Sequence, residues 1–151
     1  MPKDYAQAVV WFQKAAEQGD AKAQAVIGLM VQTVAEQGDA RAQAIIGSMY
    51  EEGRGVPQDS AQAVAWYRKG AEQGYAGAQF NLGVMYATGQ GVSRDDAQAY
   101  MWLNLAADQG HESAVKARDS LNRDMTPSKI EEGQRLTREW LTAHPQLAKA
   151  P

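Results

Sequence analysis

Residues 39–74 read DARAQAIIGSMYEEGRGVPQDSAQAVAWYRKGAEQG, and residues 75–110 read YAGAQFNLGVMYATGQGVSRDDAQAYMWLNLAADQG. The second stretch repeats the first at a shift of 36 residues. Gly47 falls on Gly83, Tyr50 on Tyr86, Gly53 on Gly89, Gly55-Val56 on Gly91-Val92, Asp59 on Asp95 and Trp66 on Trp102. The closing Ala71-Glu72-Gln73-Gly74 returns as Ala107-Asp108-Gln109-Gly110. It has two upstream copies, Ala35-Glu36-Gln37-Gly38 and Ala16-Glu17-Gln18-Gly19. Self-similarity at such a period marks a chain of stacked supersecondary units.

Each unit reads as a pair of helices. Asp39 is a good N-cap for a helix reaching about Glu52. Ala42, Ile46, Tyr50 and Gly53 follow helical spacing on one face. Gly47 stands beside that stripe and is expected to admit another backbone. Gly53 and Gly55 suit a helix end and a tight turn, and Val56 is placed to plug the loop into the core. Asp59 caps a second helix, with Ala63, Trp66, Tyr67 and Gly70 on its packing face, and Gly74 ends it.

Upstream, the spacing of the copies falls to 19 residues, 17 short of 36. Gly28 and Met30 match Gly47 and Met49 at a shift of 19, whereas Ala35 onward matches Ala71 onward at 36. One continuous helical run, Ala21 to Gln37, therefore replaces a helix end, a loop and a helix start. The alternation of helix types breaks near Gly38, where the stack is expected to kink. Pro2 and Asp4 match Pro57 and Asp59, so the sequence as given opens in a loop before a second helix. That helix, with Val9, Val10, Trp11 and Phe12, is expected to be exposed or covered by a second copy of the chain. Downstream, His111 to Asp124 reads as a first-type helix with Ala114, Ala117 and Leu121 inside. Thr126-Pro127 starts a last helix, with Ile130, Leu136, Trp140 and Leu141 on one side and His144-Pro145 as its stop. This helix is expected to cover the open end of the stack.

The expected fold is an all-α solenoid forming a single domain over 1–145. It comprises a partial repeat at 1–19, a truncated repeat at 20–38, full repeats at 39–74 and 75–110, and capping helices over 111–143, with 146–151 loose. Composition agrees: 27 Ala and 16 Gln favour helix, only 14 Val and Ile serve strands, and 14 Gly exceed what helix interiors tolerate. With no Cys, a disulfide framework and thiolate chemistry are excluded. The net charge of −3 argues against a nucleic-acid face, and no apolar run is long enough to insert into a membrane. The compartment is left open: cytoplasmic as written, periplasmic or secreted if a leader has been removed.

The pattern Ala-Gln-x-x-[Leu/Ile]-Gly-x-Met-Tyr-x-x-Gly-x-Gly-Val-x-x-Asp, then Ala-x-x-Trp, then Ala-[Glu/Asp]-Gln-Gly, resembles the Sel-one-like repeat family, relatives of the tetratricopeptide repeats. The resemblance implies an α/α superhelix that scaffolds or recruits other proteins, often in bacteria, with no enzymatic activity and no cofactor.

Motifs that would suggest chemistry have simpler readings. Gly53-Arg54-Gly55 and Gly89-Gln90-Gly91 follow no strand and lack the third glycine of a dinucleotide loop, so they are turns. His111-Glu112 begins like a zinc motif, but Val115 stands where the second histidine belongs, and no metal is expected. Ser113 and Lys116 match S-x-x-K, the nucleophile motif of penicillin-binding enzymes, without the companion motifs. Because some relatives of the family have been linked to β-lactam binding, a β-lactam-binding or hydrolytic enzyme using Ser113 and Lys116 is the alternative reading. A third is a purely structural or engineered repeat fragment. The adjacent carboxylates Glu51-Glu52, Asp95-Asp96 and Glu131-Glu132 point about 100° apart on a helix and form no acid/base pair.

The partner is expected to be a protein or peptide. Positions shared between repeats serve packing, whereas positions that differ are free to carry specificity. On the first helices these are Ala44/Phe80, Ser48/Val84, Glu51/Ala87 and Glu52/Thr88, with Ile45/Asn81 alongside. They share one face, expected to line the concave side, with Phe80 and Val84 as apolar anchors. The competing reading has Phe80 filling a contact between repeats. Gln43 and Gln79 recur and are expected to bond a partner's backbone or to face water. A homodimer is a further expectation, through the N-terminal helix or the truncated repeat.

Overall fold

The computed structural model describes residues 21–148, apart from the side chain of Ile27, and before them Val10, Lys14, Glu17, Gln18 and Gly19. From Ala21 onward the described residues form seven helices: α1 (Ala21–Glu36), α2 (Ala40–Glu52), α3 (Ser60–Glu72), α4 (Ala76–Thr88), α5 (Asp96–Asp108), α6 (Glu112–Asp124) and α7 (Pro127–Ala143). A 3-10 turn over Pro145–Leu147 closes the described chain. No strand occurs among the described residues. The expectation for the opening helix rests on Val9, Trp11 and Phe12, which lie outside them.

The helix starts obey the capping pattern. The carboxylates of Asp39, Asp59 and Asp95 accept from the backbone N–H groups of Ala42, Gln62 and Gln98 at 2.8, 3.1 and 3.1 Å. Each satisfies a donor that the first helical turn leaves unpaired. Gly91 shows why the turn needs glycine twice over. Its φ is +67°, and a Cβ there would stand 2.2 Å from the Ser60 carbonyl oxygen.

Helices α2 and α3 pair within one unit, α4 and α5 within the next, and α3 packs on α4 across the seam. First helices also touch along the stack, α2 with α4 and α4 with α6, while no comparable contact joins α3 to α5. The first helices therefore form the inner row. Val64, Tyr67, Leu82, Met85, Trp102 and Leu105 belong to the main core cluster, each large apolar side chain contributing about 1.5–3 kcal/mol on burial. Gly47 makes room for a ring rather than the expected backbone: a Cβ there would lie 2.5 Å from the Tyr67 ring. The close backbone approach occurs instead at Gly70, facing the Ala40 carbonyl.

The truncated repeat resolves into the single helix α1, which occupies the place of a second helix. A Cβ on Gly55 would lie 3.4 Å from the carbonyl oxygen of Gln24, as one on Gly91 would meet that of Ser60, 36 residues later. The same seam contact joins Ala35 to α2 and Ala71 to α4. The turn at Gly38 thus repeats the turn at Gly74, with φ of +94° and +85°, so the kink expected near Gly38 is absent. The conflict moves into α1 itself. Gly28, which by sequence matches Gly47, stands where α3 has Val64. A cavity of about 340 Å³ opens there between Gly28, Leu29, Met49, Tyr50, Val56 and Trp66.

Helix α7 also departs from expectation. It packs along α5 rather than on α6, with Gly133 against the Tyr100 ring and Trp140 set edge-on to Trp102 at 5.8 Å. Beyond it, Leu147 reaches back to Gly74 in the α3–α4 turn, so this part of the tail is not loose. The last helix covers a flank of the stack instead of its open end. That end is closed by α6, whose Ser113, Lys116, Asp119, Ser120 and Arg123 are exposed, the polar outer face that a terminal helix needs.

The two glycines predict opposite mutational effects. Gly28→Ala should raise stability by about 1 kcal/mol, because a methyl there meets only Met49 Cε at 3.6 Å and a helix interior favours Ala. Gly47→Ala should lower it, because the Tyr67 ring fills the space. Urea unfolding of the two variants checks both signs.

Candidate functional site on the first-helix face

The structure divides the predicted partner face into three groups. Gln43 and Gln79 are buried, at 5% and 1% exposure, and face neither water nor a partner. Gln43 Nε2 donates to the Ala35 carbonyl at 3.2 Å, and its Oε1 accepts from Gln73 Nε2 at 2.8 Å. Gln73 also donates to the Gly38 carbonyl at 2.8 Å. One unit on, Gln79 donates to Ala71 at 3.2 Å, and Gln109 donates to Gln79 Oε1 and to the Gly74 carbonyl, both at 2.9 Å. Each pair clasps the end of one second helix to the start of the next first helix, satisfying carbonyls left over at the helix terminus. Gln73 and Gln109 escaped the sequence reading, although their recurrence at a shift of 36 carries the same signal. The third clasp fails at α6, where Val115 replaces the glutamine.

Ala44, Phe80 and Glu51 are engaged inside the molecule. Ala44 is buried in the main core. Phe80 is half-buried beside Ala106, Ala107 and Ala114, and it stacks on His111 with ring centroids 4.8 Å apart. It fills the contact between α4 and α6, as the competing reading had it. His111 caps α6, its Nδ1 accepting from the Ala114 N–H at 3.1 Å. Glu51 accepts from the Tyr67 hydroxyl at 2.5 Å.

Ser48, Glu52, Val84, Ala87 and Thr88 remain. Ser48, Val84 and Ala87 are half-buried, while Glu52 and Thr88 are exposed. The Ser48 hydroxyl donates to Glu52 at 3.0 Å, and the Thr88 hydroxyl to the Val84 carbonyl at 2.9 Å. Glu52 also pairs with Arg54 at 2.8 Å. Side chains tied to their own helix present a fixed surface that loses little entropy when covered.

Ser113 and Lys116 are exposed on the first turns of α6, and neither lines the 340 Å³ cavity or the second one, of about 690 Å³, between Gln79, Leu105, Gln109, Trp140, Leu141 and Leu147. An acylating serine needs a wall that holds the substrate and donors for the developing oxyanion.

The family model for the Sel1 repeat matches residues 1–20, 40–75 and 76–111, and the chain belongs to this family. One similar solved structure is a protective antigen present in uropathogenic Escherichia coli strains displaying an SLR fold. It is 31% identical with a TM-score of 0.73, over 97% of this chain and 36% of that one. Another is a Sel1 repeat protein from Oxalobacter formigenes, 36% identical with a TM-score of 0.63, over 78% of this chain and 39% of that one. Comparison with the curated proteins gives no match. The chain spans little more than a third of the two solved structures. It is an all-α solenoid of a family whose members generally act as scaffolds for protein–protein interaction and are typically non-enzymatic. None of its described helices is long and apolar enough to cross a membrane.

Two measurements test this partition. Gln79→Ala should cost about 1–3 kcal/mol in urea unfolding, because it removes two seam hydrogen bonds, the second donor to the Ala71 carbonyl and the acceptor for Gln109 Nε2; Gln109→Ala, at the exposed end of the clasp, should cost about 1 kcal/mol or less. Tyr67 predicts a pH effect. Its burial, the hydrogen bond to Glu51 and the nearby negative charges of Glu51 and Glu52 hold its pKa well above the ordinary 10.0. Above that pH the unfolded chain releases the phenol proton and the folded chain keeps it, so the unfolded state binds fewer protons and stability falls as pH rises. Thermal melts from pH 9 to 11 should show this loss in the wild type and a shallower one in Tyr67→Phe.

Proposed function

We propose that this repeat stack is a non-enzymatic scaffold that docks a peptide or helix of a partner protein across α2 and α4. Val84 supplies the apolar contact, Ala87 lies beside it, and Ser48, Glu52 and Thr88 form a polar margin. The observation that supports this reading most is the sorting of the first-helix face. Positions engaged in packing, Gln43, Gln79, Ala44 and Phe80, turn inward. Of the positions that differ between repeats, Ser48/Val84 and Glu52/Thr88 keep contact with solvent on neighbouring helices of the inner row. An apolar group at the centre with polar groups around it is the usual arrangement of a binding hot spot.

Val84→Asp should abolish capture of partner proteins from a source lysate while leaving the melting temperature within a few degrees of the wild type. Phe80→Asp should instead lower the melting temperature sharply, because the carboxylate would be buried against Ala106 and Ala114. Capture that survives Val84→Asp and Thr88→Lys would remove the docking face from α4. Covalent labelling by a fluorescent penicillin, lost in Ser113→Ala, would overturn the non-enzymatic reading.

A further inference from the structure

The second helices can be compared position by position, because α1, α3 and α5 occupy equivalent places. On the outer face α5 carries Gln98, Met101, Leu105 and Asp108, and α3 carries Gln62, Ala65, Lys69 and Glu72. On α1 the same positions are Val26, Leu29, Thr33 and Glu36. Met101 and Leu105 are buried, on the helix that α7 covers. The face of α3 is small or polar and stands bare. The face of α1 is apolar at its centre and also bare: Val26 is 43% exposed and Leu29 71%. Apart from Leu147 they are the exposed large hydrophobic side chains among the described residues.

The charges along this stripe indicate what covers it. Lys22, Val26, Leu29, Thr33 and Glu36 follow one another at steps of four, three, four and three residues, the spacing of one seam on a helix. The stripe is basic at its N-terminal end, acidic at its C-terminal end and apolar between. Its charged ends are complementary when it is reversed: turned about Leu29, Lys22 falls on Glu36, Val26 on Gln32 and Thr33 on Ala25, so that Leu29 meets its own copy at the axis with a valine on either side.

We propose that α1 is a homodimer interface in which two copies of the chain pair their α1 helices antiparallel about a two-fold axis at Leu29. Val26 and Leu29 of both copies form the apolar seam. Lys22 of each copy approaches Glu36 of the partner subunit. The interface is isologous, the commonest closed arrangement for two identical chains. It lies on the second-helix side, so it leaves the inner row of first helices open.

Sedimentation equilibrium on the full chain tests the pairing. The wild type should reach a concentration-dependent dimer, and Leu29→Glu should be monomeric with unchanged helicity. Lys22→Glu and Glu36→Lys should each weaken the dimer by about tenfold or more, and the double variant K22E/E36K should restore it. Because the chain has no cysteine, Leu29→Cys should cross-link to itself on mild oxidation, whereas Ala65→Cys, at the equivalent place on α3, should not. A wild type that stays monomeric, a dimer indifferent to Leu29→Glu, or a double swap that fails to restore association would each overturn the proposal. Val84→Asp should leave the dimer intact, which separates this interface from the docking face.

Discussion

Everything in the stack depends on how one helix pair is fastened to the next, and that joint is a buried glutamine. A second helix ends in carbonyl groups with no partner inside the helix, and the seam takes them out of water. The turn glycines Gly38 and Gly74 give the Ala35 and Ala71 carbonyls one backbone donor each, and Gln43 and Gln79 add a second from across the seam. Gln73 and Gln109 hold these glutamine side chains in place while bonding the turn carbonyls of Gly38 and Gly74, each such bond contributing about 0.5–1.5 kcal/mol. A side-chain amide suits this task because it both donates and accepts, without the cost of burying a charge. Val115 ends the series, and α6 meets α5 through the small side chains of Ala106, Ala107 and Ala114 instead.

Between these joints, glycine and alanine control how near the helices come. Gly47 leaves space for the Tyr67 ring, Gly83 for Leu103, and Gly133 for Tyr100. Gly28 lacks this purpose. It has the sequence surroundings of Gly47 and the position of Val64, so its missing side chain leaves a cavity rather than seating a neighbour. The loss of 17 residues thus did not bend the stack at the turn. It put residues suited to a first helix into the place of a second one, and the mismatch emerges as a hole beside Gly28 with Leu29 exposed at its rim and Val26 exposed beyond.

The two faces of the solenoid follow from this division. The inner row joins first helices to one another, and its side chains that escape packing are few and locally tied. The outer side belongs to second helices, whose outward positions vary from polar and exposed on α3 to apolar and covered by α7 on α5. Function and assembly therefore rest on different helices, and a change on one row need not disturb the other.

The sequence by itself determined the repeat, the helix pairs, their caps and the fusion of the truncated unit into one helix, because these are local: they depend on spacing and on residue types within a few turns. It also held the rule that shared positions build the scaffold, which places Gln43 and Gln79 inside. The expectation that they face a partner went against that rule, since glutamine is polar and a single strand of sequence shows no seam. Only the tertiary structure decided that Phe80 is spent against His111, that Glu51 is bound by Tyr67, that α7 folds back along α5, and that Gly28 stands at a second-helix position. Each of these depends on which helix lies beside which, and that is set by long-range packing that no local pattern records.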